Sequence, residues 1–183
     1  MNRIQLVQVL KILFPSALQG SGYTLAVDGS GNAAIAMWLD ATDAQPTVAQ
    51  LTAQLATMQL QQAQKVQMVS IAQASDAAQT TGFSSSALGS AYTYPSGLQD
   101  QANLTSCIVA SLIPGNPTGW TVYFWCTSSA GVSTFLPHTA AQIQKVGQDA
   151  LSAIMTQKSK QLTLTQQILA ATTISAVQAV VWG

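Results

Sequence analysis

One stretch of the sequence constrains the fold more than any other, because residues 47–81 contain neither glycine nor proline. Thr47 and Gln50 at its start match a capping box, in which each side chain accepts a hydrogen bond from the other residue's backbone N–H. We therefore predict one long helix over residues 47–81, about 50 Å in length at a rise of ~1.5 Å per residue. A helix this long cannot bury its apolar side against a short hairpin, so it needs further cover.

The apolar side of this helix predicts self-association. Its residues are spaced as a and d positions of a heptad, and a glutamine follows at the next a position. These residues, which we call the predicted seam, are Val48, Leu51, Leu55, Met58 and Gln62. A polar residue in such a seam fixes register and stoichiometry at some cost in stability. The alternative is an amphipathic helix folded back on its own domain, since two good heptads are fewer than the three or four that indicate a coiled coil.

Charge is scarce and balanced in this chain. Only 7% of residues are charged, six basic against six acidic with no glutamate, whereas about 25% is usual. Such a surface attracts neither phosphates nor anionic lipids, so we expect no nucleic-acid partner. No run approaches the roughly 18 uninterrupted apolar residues of a spanning helix, so we expect no membrane insertion. The polar surface is instead neutral, with 23 Gln, 19 Thr and 18 Ser. A net charge of zero removes a barrier to self-association and suits a subunit of an assembly.

The first 22 residues predict a leader with a helical pattern. In residues 2–14, Gln5, Gln8 and Lys11 recur at every third position and apolar residues fill most of the rest, which gives a wide apolar face. We predict a candidate docking segment that inserts into a larger particle. Its docking residues are Ile4, Val7, Leu10 and Phe14. The alternatives are a helix packed on its own domain and a helix lying on a membrane surface, which two positive charges support only weakly.

Residues 23–46 predict a β-hairpin module. Residues 23–27 and 33–39 carry β-type side chains, and residues 28–32 between them supply the Asp, Gly and Asn that turns require. The glycines of this turn do not form a phosphate-binding loop, because no helix follows directly and the turn contains no lysine followed by serine or threonine. Gln45 and Pro46 mark the boundary with the long helix.

Residues 82–183 predict a C-terminal α/β domain, so that the whole chain falls in the α+β class. A second hairpin is expected from residues 121–126 and 132–136, which are aromatic and β-branched. Thr139 and Gln142 repeat the capping box before a helix over residues 140–171, and a short helix follows over residues 174–181. The apolar residues of the longer helix cover two of its sides, so it is expected to contact more than one neighbour. One side carries Ile143, Val146, Ala150 and Ile154, and the other carries Leu151, Met155 and Leu162.

The inventory of reactive side chains argues against an enzyme. Acid–base catalysis, covalent catalysis and metal sites need paired acids, a nucleophile beside a base or a ligand cluster, and this chain has one histidine and six scattered aspartates. His138 lies between Pro137 and the cap residue Thr139, where we expect it to hydrogen-bond a helix end or a neighbouring carbonyl. No G-x-S-x-G elbow favours a serine triad. We expect no catalytic residue, metal or cofactor.

Two further residue types leave alternatives open. Cys107 and Cys126 form no C-x-x-C motif, and we interpret both as buried thiols, with a disulfide or a metal role as the alternatives. Aromatic side chains can stack on sugar rings, although burial in a core is their more common fate. The four tryptophans are Trp38, Trp120, Trp125 and Trp182.

Six short blocks in the C-terminal two thirds of the chain carry a family resemblance. They are GFSSSALG at 82–89, YTYPS at 92–96, DQANL at 100–104, WC at 125–126, HTAAQIQ at 138–144 and AATT at 170–173. Through these blocks, residues 63–182 resemble a domain of unknown function found at the C-terminal end of many bacteriophage tail-fibre-like and other tail-associated proteins. Residues 23–56 are similar to the short N-terminal module of tail-fibre and tail-fibre-assembly proteins, and the leader lies outside this second resemblance.

The resemblance implies a structural protein of the virion tail, made in the cytoplasm of the host bacterium. It implies a short tail fibre or a fibre attachment subunit, and fibres of this kind are usually homotrimers. Under this hypothesis three copies associate through helix 47–81 while the leader docks onto another tail or adaptor protein. Two alternatives remain, a tail-fibre assembly chaperone and a module that binds host surface polysaccharide through Trp120, Tyr123 and Trp125.

Overall fold

The computed structural model describes all 183 residues of the chain. Its helices are α1 (Arg3–Leu13), α2 (Val48–Gln79), α3 (Leu98–Ser111), α4 (Ala140–Ala170) and α5 (Ile174–Gln178). Its strands are β1 (Tyr23–Val27), β2 (Ala33–Trp38), β3 (Phe83–Ser85), β4 (Tyr92–Tyr94), β5 (Thr121–Ser128) and β6 (Ser133–Thr139). Helices combine with two separate antiparallel sheets, which confirms the predicted α+β class.

The chain divides into two compact units. The first comprises Met1–Val66 and Thr172–Val177, and the second comprises Gln67–Ala171 and Gln178–Gly183. The division falls inside α2, whereas the segments predicted from the sequence were 1–22, 23–46, 47–81 and 82–183. One continuous helix therefore belongs to both units, which a change in composition along the chain cannot reveal.

In the first unit, α1 packs on the hairpin and on the start of α2. Asn2 and Gln5 form a capping box at the start of α1, with hydrogen bonds of 2.9 and 3.0 Å. Strands β1 and β2 pair antiparallel, as predicted, and Tyr23 lies opposite Trp38. The buried core of this unit consists of Leu6, Val9, Leu10, Ala17, Tyr23 and Leu51. Burying each leucine of this core contributes about 1.5–3 kcal/mol, so α1 is an integral part of the unit.

Helix α2 begins and ends at capping contacts. The Thr47 backbone N–H donates to Gln50 Oε1 at 2.8 Å, and the Gln50 N–H donates to Thr47 Oγ1 at 3.2 Å, which confirms the predicted capping box. The helix stops at Gln79, two residues before the predicted end, because the Ser96 hydroxyl donates to the carbonyl of Gln79 at 2.8 Å. The chain then turns at Gly82, whose φ of +102° favours glycine.

The second unit contains a four-stranded antiparallel sheet in the order β3-β4-β5-β6. One sheet face packs against α3 and α4, and the core between them contains Phe83, Tyr94, Leu104, Phe124, Cys126, Ile143 and Val146. The predicted hairpin of β5 and β6 and the predicted helix α4 are confirmed, as is the capping box of Thr139 and Gln142. Strands β3 and β4 were not predicted, because residues 82–97 are rich in serine and glycine and resemble a loop. Helix α3 was not predicted either.

Candidate functional site

The candidate docking residues of the leader lie in different environments. Ile4 is exposed, whereas Leu10 is fully buried in the core of the first unit. Val7 is half-buried, and Phe14 is half-buried with its ring edge on Trp38 at a centroid distance of 5.0 Å. The leader is thus a helix packed on its own unit, which was the alternative interpretation. As a correction, Leu10 faces inward, because the apolar face of α1 packs on the hairpin and on the start of α2 and Leu10 lies in that face.

The predicted seam is also largely covered within the chain. Leu51 is buried, and Leu55 and Met58 pack against the same core. Only Val48 and Gln62 of the five are exposed. The expectation that this row stays uncovered until other copies cover it is therefore corrected, since α1 and the hairpin supply the cover. The sequence pattern identified the apolar row but could not show that α1 would pack on it.

A second apolar row remains exposed, on helix α4. Leu151, Met155 and Leu162 are each 58 to 60% exposed, although all three are apolar. They follow heptad spacing, with Lys158 between Met155 and Leu162 at the intervening d position. We call these three residues the α4 stripe. Ile143 and Val146, on the other side of the same helix, are fully buried against the sheet. Helix α4 therefore has two apolar sides, as its pattern predicted. One side packs against the sheet, and the side with the α4 stripe is more than half exposed.

An ion pair connects the stripe with the end of α2. Lys158 Nζ lies 3.1 Å from Asp76 Oδ1, and both groups are largely exposed. Val69, which is also exposed, lies seven residues before Asp76 on α2 and so on the same side of that helix. The α4 stripe and Val69 therefore flank one exposed ion pair. An exposed pair of this kind contributes little to stability.

The outer face of the sheet carries a group of exposed aromatic residues. Side chains alternate along a strand, so Phe124 and Cys126 point into the core while Tyr123 and Trp125 point outward. Trp125 lies opposite Phe135 in the ladder, and their rings meet edge to face at a centroid distance of 4.9 Å. Tyr123, Trp125 and Phe135 are 64, 40 and 58% exposed. Trp120, predicted with them as a sugar-binding residue, instead packs half-buried against the core.

These rings line an open groove of about 590 Å³ beside β5. Asp100, Asn103 and Ser106 of α3 line the same groove. Asp100 also caps α3, because its Oδ2 accepts the backbone N–H of Gly97 at 3.1 Å. In the sequence, Asp100 and Asn103 stand out only as part of the DQANL block at 100–104. The sequence signal that could have located this groove is the presence of aromatic residues at alternating positions on both faces of the predicted hairpin.

His138 occupies a structural position in the core of the second unit. Its Nδ1 lies 2.9 Å from the carbonyl oxygen of Leu136, and its Nε2 lies 2.9 Å from the hydroxyl of Tyr94. Because a carbonyl only accepts, Nδ1 carries the proton and Nε2 accepts from Tyr94. Burial lowers the pKa of His138 and raises the pKa of Tyr94. The expected hydrogen bond to a neighbouring carbonyl is confirmed.

The remaining reactive groups are dispersed. Ser85 Oγ donates to Asp149 Oδ2 at 2.6 Å, and Asp149 also pairs with Lys145, so neither Ser85 nor Asp149 reaches His138 through a hydrogen bond. Cys107 and Cys126 are free thiols, and burial raises the pKa of both. Cys126 is fully buried, as predicted, whereas Cys107 is only half-buried. No group of three or more potential ligands could hold a metal ion, and no helix is both long and apolar enough to cross a membrane.

An apolar crevice of about 230 Å³ lies between α3, α4 and the end of α2. Several polar groups at its rim are paired with one another. Gln101 Nε2 donates to the carbonyl of Ser96 at 2.8 Å, and the Gly82 backbone N–H donates to Ser96 Oγ at 2.8 Å. The small residues Gly147, Ala150 and Ala153 leave the space. The crevice is therefore a result of close helix contact.

Comparison with known families gives two matches that divide the chain as the structure does. A profile described as XkdW protein matches residues 6–63, and a profile described as a domain of unknown function (DUF4376) matches residues 60–181. The first match covers most of the first unit and reaches into the leader, which had no counterpart in the resemblance drawn from the sequence. No curated protein and no solved structure matches the chain.

The XkdW family is phage-associated, and together the two matches suggest a phage protein. The second match covers about two thirds of the sequence. It includes all of the sheet of the second unit, α3 and α4, and therefore both the groove and the α4 stripe. The chain belongs to the family of the domain of unknown function DUF4376.

Proposed function

We propose that this chain is a structural subunit of a phage tail, a short tail fibre or a fibre attachment subunit, and that three copies associate on the virion. The subunit is made in the cytoplasm of the host and acts by assembly rather than by catalysis. The similarity to a phage-associated family supports the setting. The exposed apolar surface of the second unit supports the proposed oligomeric state.

The observation that carries the proposal is the α4 stripe. Three large apolar side chains, Leu151, Met155 and Leu162, are more than half exposed in a row along one helix. Exposed apolar rows of this kind are typical of interfaces. Burying the three between copies would contribute several kcal/mol, at about 25 cal/mol per Å² of apolar surface. Association through α4 replaces association through the predicted seam, which the first unit already covers.

A second copy of the same chain suits this surface better than a charged partner does. The chain has no net charge. A single lysine, Lys158, lies between two residues of the α4 stripe, and it pairs with Asp76 of the same chain. Identical copies therefore meet without repulsion. A lone lysine in a heptad row also restricts register and the number of strands.

The leader supplies the proposed contact with another tail or adaptor protein. Leu10 is committed to the core, so the docking contact is assigned to the outer side of α1, where Ile4 and Ile12 are exposed. This side also carries Gln8, one of the polar residues of the predicted pattern. The contact is small, and three copies side by side would multiply its strength.

Quantitative mass spectrometry of purified particles tests the proposal. A structural subunit is expected in a fixed copy number per virion that is a multiple of three. The alternative is an assembly chaperone, which would be abundant in infected cells and missing from purified particles. That result would contradict the proposed function.

A further inference from the structure

The groove between α3 and the hairpin of β5 and β6 combines flat aromatic faces with polar atoms that have no partner in the chain. Tyr123, Trp125 and Phe135 form its apolar wall. On α3, Asp100 accepts through Oδ2 from the Gly97 N–H and Asn103 accepts through Oδ1 from Gln99, whereas Asp100 Oδ1 and Asn103 Nδ2 make no hydrogen bond within the chain. The Tyr123 hydroxyl is also without a partner. An acceptor, an amide donor and a phenol thus line the same groove as the aromatic rings.

This combination matches the chemistry of a sugar ring. A hexopyranose presents an apolar face of C–H groups, which stacks on an aromatic ring, and a rim of hydroxyls, each of which donates and accepts. Binding sites for small polar ligands typically join an apolar wall with a few convergent polar groups in a volume of about 300–1,000 Å³, and the groove falls within that range. An apolar protein segment would leave the Asp100 carboxylate buried without a donor, which is costly.

We propose that this groove binds a neutral saccharide chain, with Trp125 and Tyr123 stacking on sugar rings and Asp100 and Asn103 hydrogen-bonding their hydroxyls. Neither lysine nor arginine lines the groove, and Asp100 is its one charged residue. An acidic polysaccharide would therefore be repelled. The inference concerns a different surface from the α4 stripe, so either proposal can fail while the other holds.

Isothermal titration of the full chain with hexasaccharides tests the inference. The neutral probes are cellohexaose, maltohexaose and mannohexaose, and hexagalacturonic acid is the acidic probe. At least one neutral probe is expected to bind in the millimolar range, and the acidic probe is expected not to bind. If none of the neutral probes binds, or the acidic probe binds best, the inference is wrong.

Variants of the groove locate the binding. Trp125→Ala is expected to weaken binding about tenfold, because one stacking ring is lost. Asn103→Ala is expected to weaken it severalfold through the loss of one donor. Val132→Ala is the control, since Val132 is exposed at the turn of the same hairpin and does not line the groove. Circular dichroism confirms that each variant is folded.

Two outcomes of the variant experiment would overturn the inference. The first is that Trp125→Ala and Val132→Ala bind the sugar equally well. The second is that no sugar binds while Trp125→Ala changes the sedimentation of the chain, because the aromatic face would then be a contact between copies. The mass of the wild-type chain in sedimentation separately decides the association through α4.

Discussion

At the scale of single residues, His138 makes stability depend on pH. Burial lowers the pKa of His138, whereas the unfolded chain titrates near pH 6.5. Below about pH 6.5 the unfolded state therefore binds the proton more readily than the folded state, and the free energy of unfolding falls by up to ~1.4 kcal/mol per pH unit until the pH reaches the folded pKa. The loss is structural, because a protonated Nε2 can no longer accept from Tyr94.

Urea denaturation at pH 7.5, 6.5 and 5.5 measures this dependence. His138 is the only histidine, and the aspartates titrate near pH 3.9 when unperturbed, so this window isolates one side chain. The wild type is expected to lose stability as the pH falls, and His138→Gln is expected to give a flatter profile. A flat wild-type profile, or the same slope in both proteins, would contradict the assignment.

Gly82 is a second residue whose role can be measured. It has a φ of +102°, and a Cβ at this position would lie 2.9 Å from the carbonyl oxygen of Tyr94. Gly89 has a similar φ of +91°, but no atom lies within 4 Å of its Cβ position. Gly89→Ala therefore costs only the backbone strain of about 1–2 kcal/mol, and Gly82→Ala should cost at least ~1 kcal/mol more through the clash. Equal losses in urea denaturation would show that the contact with Tyr94 is unimportant.

At the scale of secondary-structure elements, the two apolar rows give opposite predictions. Leu162 is exposed on α4, so Leu162→Asp should separate copies while the chain remains folded. Leu55 is partly buried against the core of the first unit, so Leu55→Asp should destabilise that unit by about 1–3 kcal/mol, because apolar contacts are lost and a carboxylate is partly desolvated. Gln61→Asp, at an exposed position of α2, controls for the added charge.

Sedimentation and thermal unfolding of the three variants distinguish the rows. The expected pattern is a lower mass for Leu162→Asp, a lower melting temperature for Leu55→Asp and neither change for Gln61→Asp. If Leu55→Asp separated copies without loss of folding, the predicted seam would be the true interface and the placement of α1 would be wrong.

The elements with a strong local signal were the ones that the sequence could predict. Capping boxes located the starts of α2 and α4, and turn residues with β-branched flanks located both hairpins. Strands β3 and β4 have three residues each and depend on pairing, β3 with β4 and β4 with β5, so they have no signal of their own. The sequence did indicate Tyr123 and Trp125 as possible sugar-binding residues. It could not indicate the contribution of α3 to the groove, because α3 and the hairpin meet only in the fold.

The predicted seam shows how one sequence pattern fits two different partners. Leu51, Leu55 and Met58 do form an apolar row, and a row of this spacing fits either another copy or a helix of the same chain. Periodicity shows only that a helix face is apolar and does not show which surface covers that face. Here α1 covers part of the row. The wide apolar face of α1 was visible in the sequence, but the position of α1 against α2 was not.

At the scale of the whole molecule, the units and the family matches divide the chain near the same place. The two matched segments meet at residues 60–63, and the two compact units separate after Val66. Helix α1 covers the apolar core of the first unit. In the second unit the α4 stripe is more than half exposed, and a net charge of zero does nothing to keep copies apart. We therefore expect copies to associate through the second unit.

Sedimentation equilibrium of the purified wild-type chain at micromolar concentration tests this claim most directly. The account predicts a species of three times the 19.1 kDa of one chain, which dissociates in Leu162→Asp. A single species of one chain mass, folded by circular dichroism and unchanged in Leu162→Asp, would contradict it.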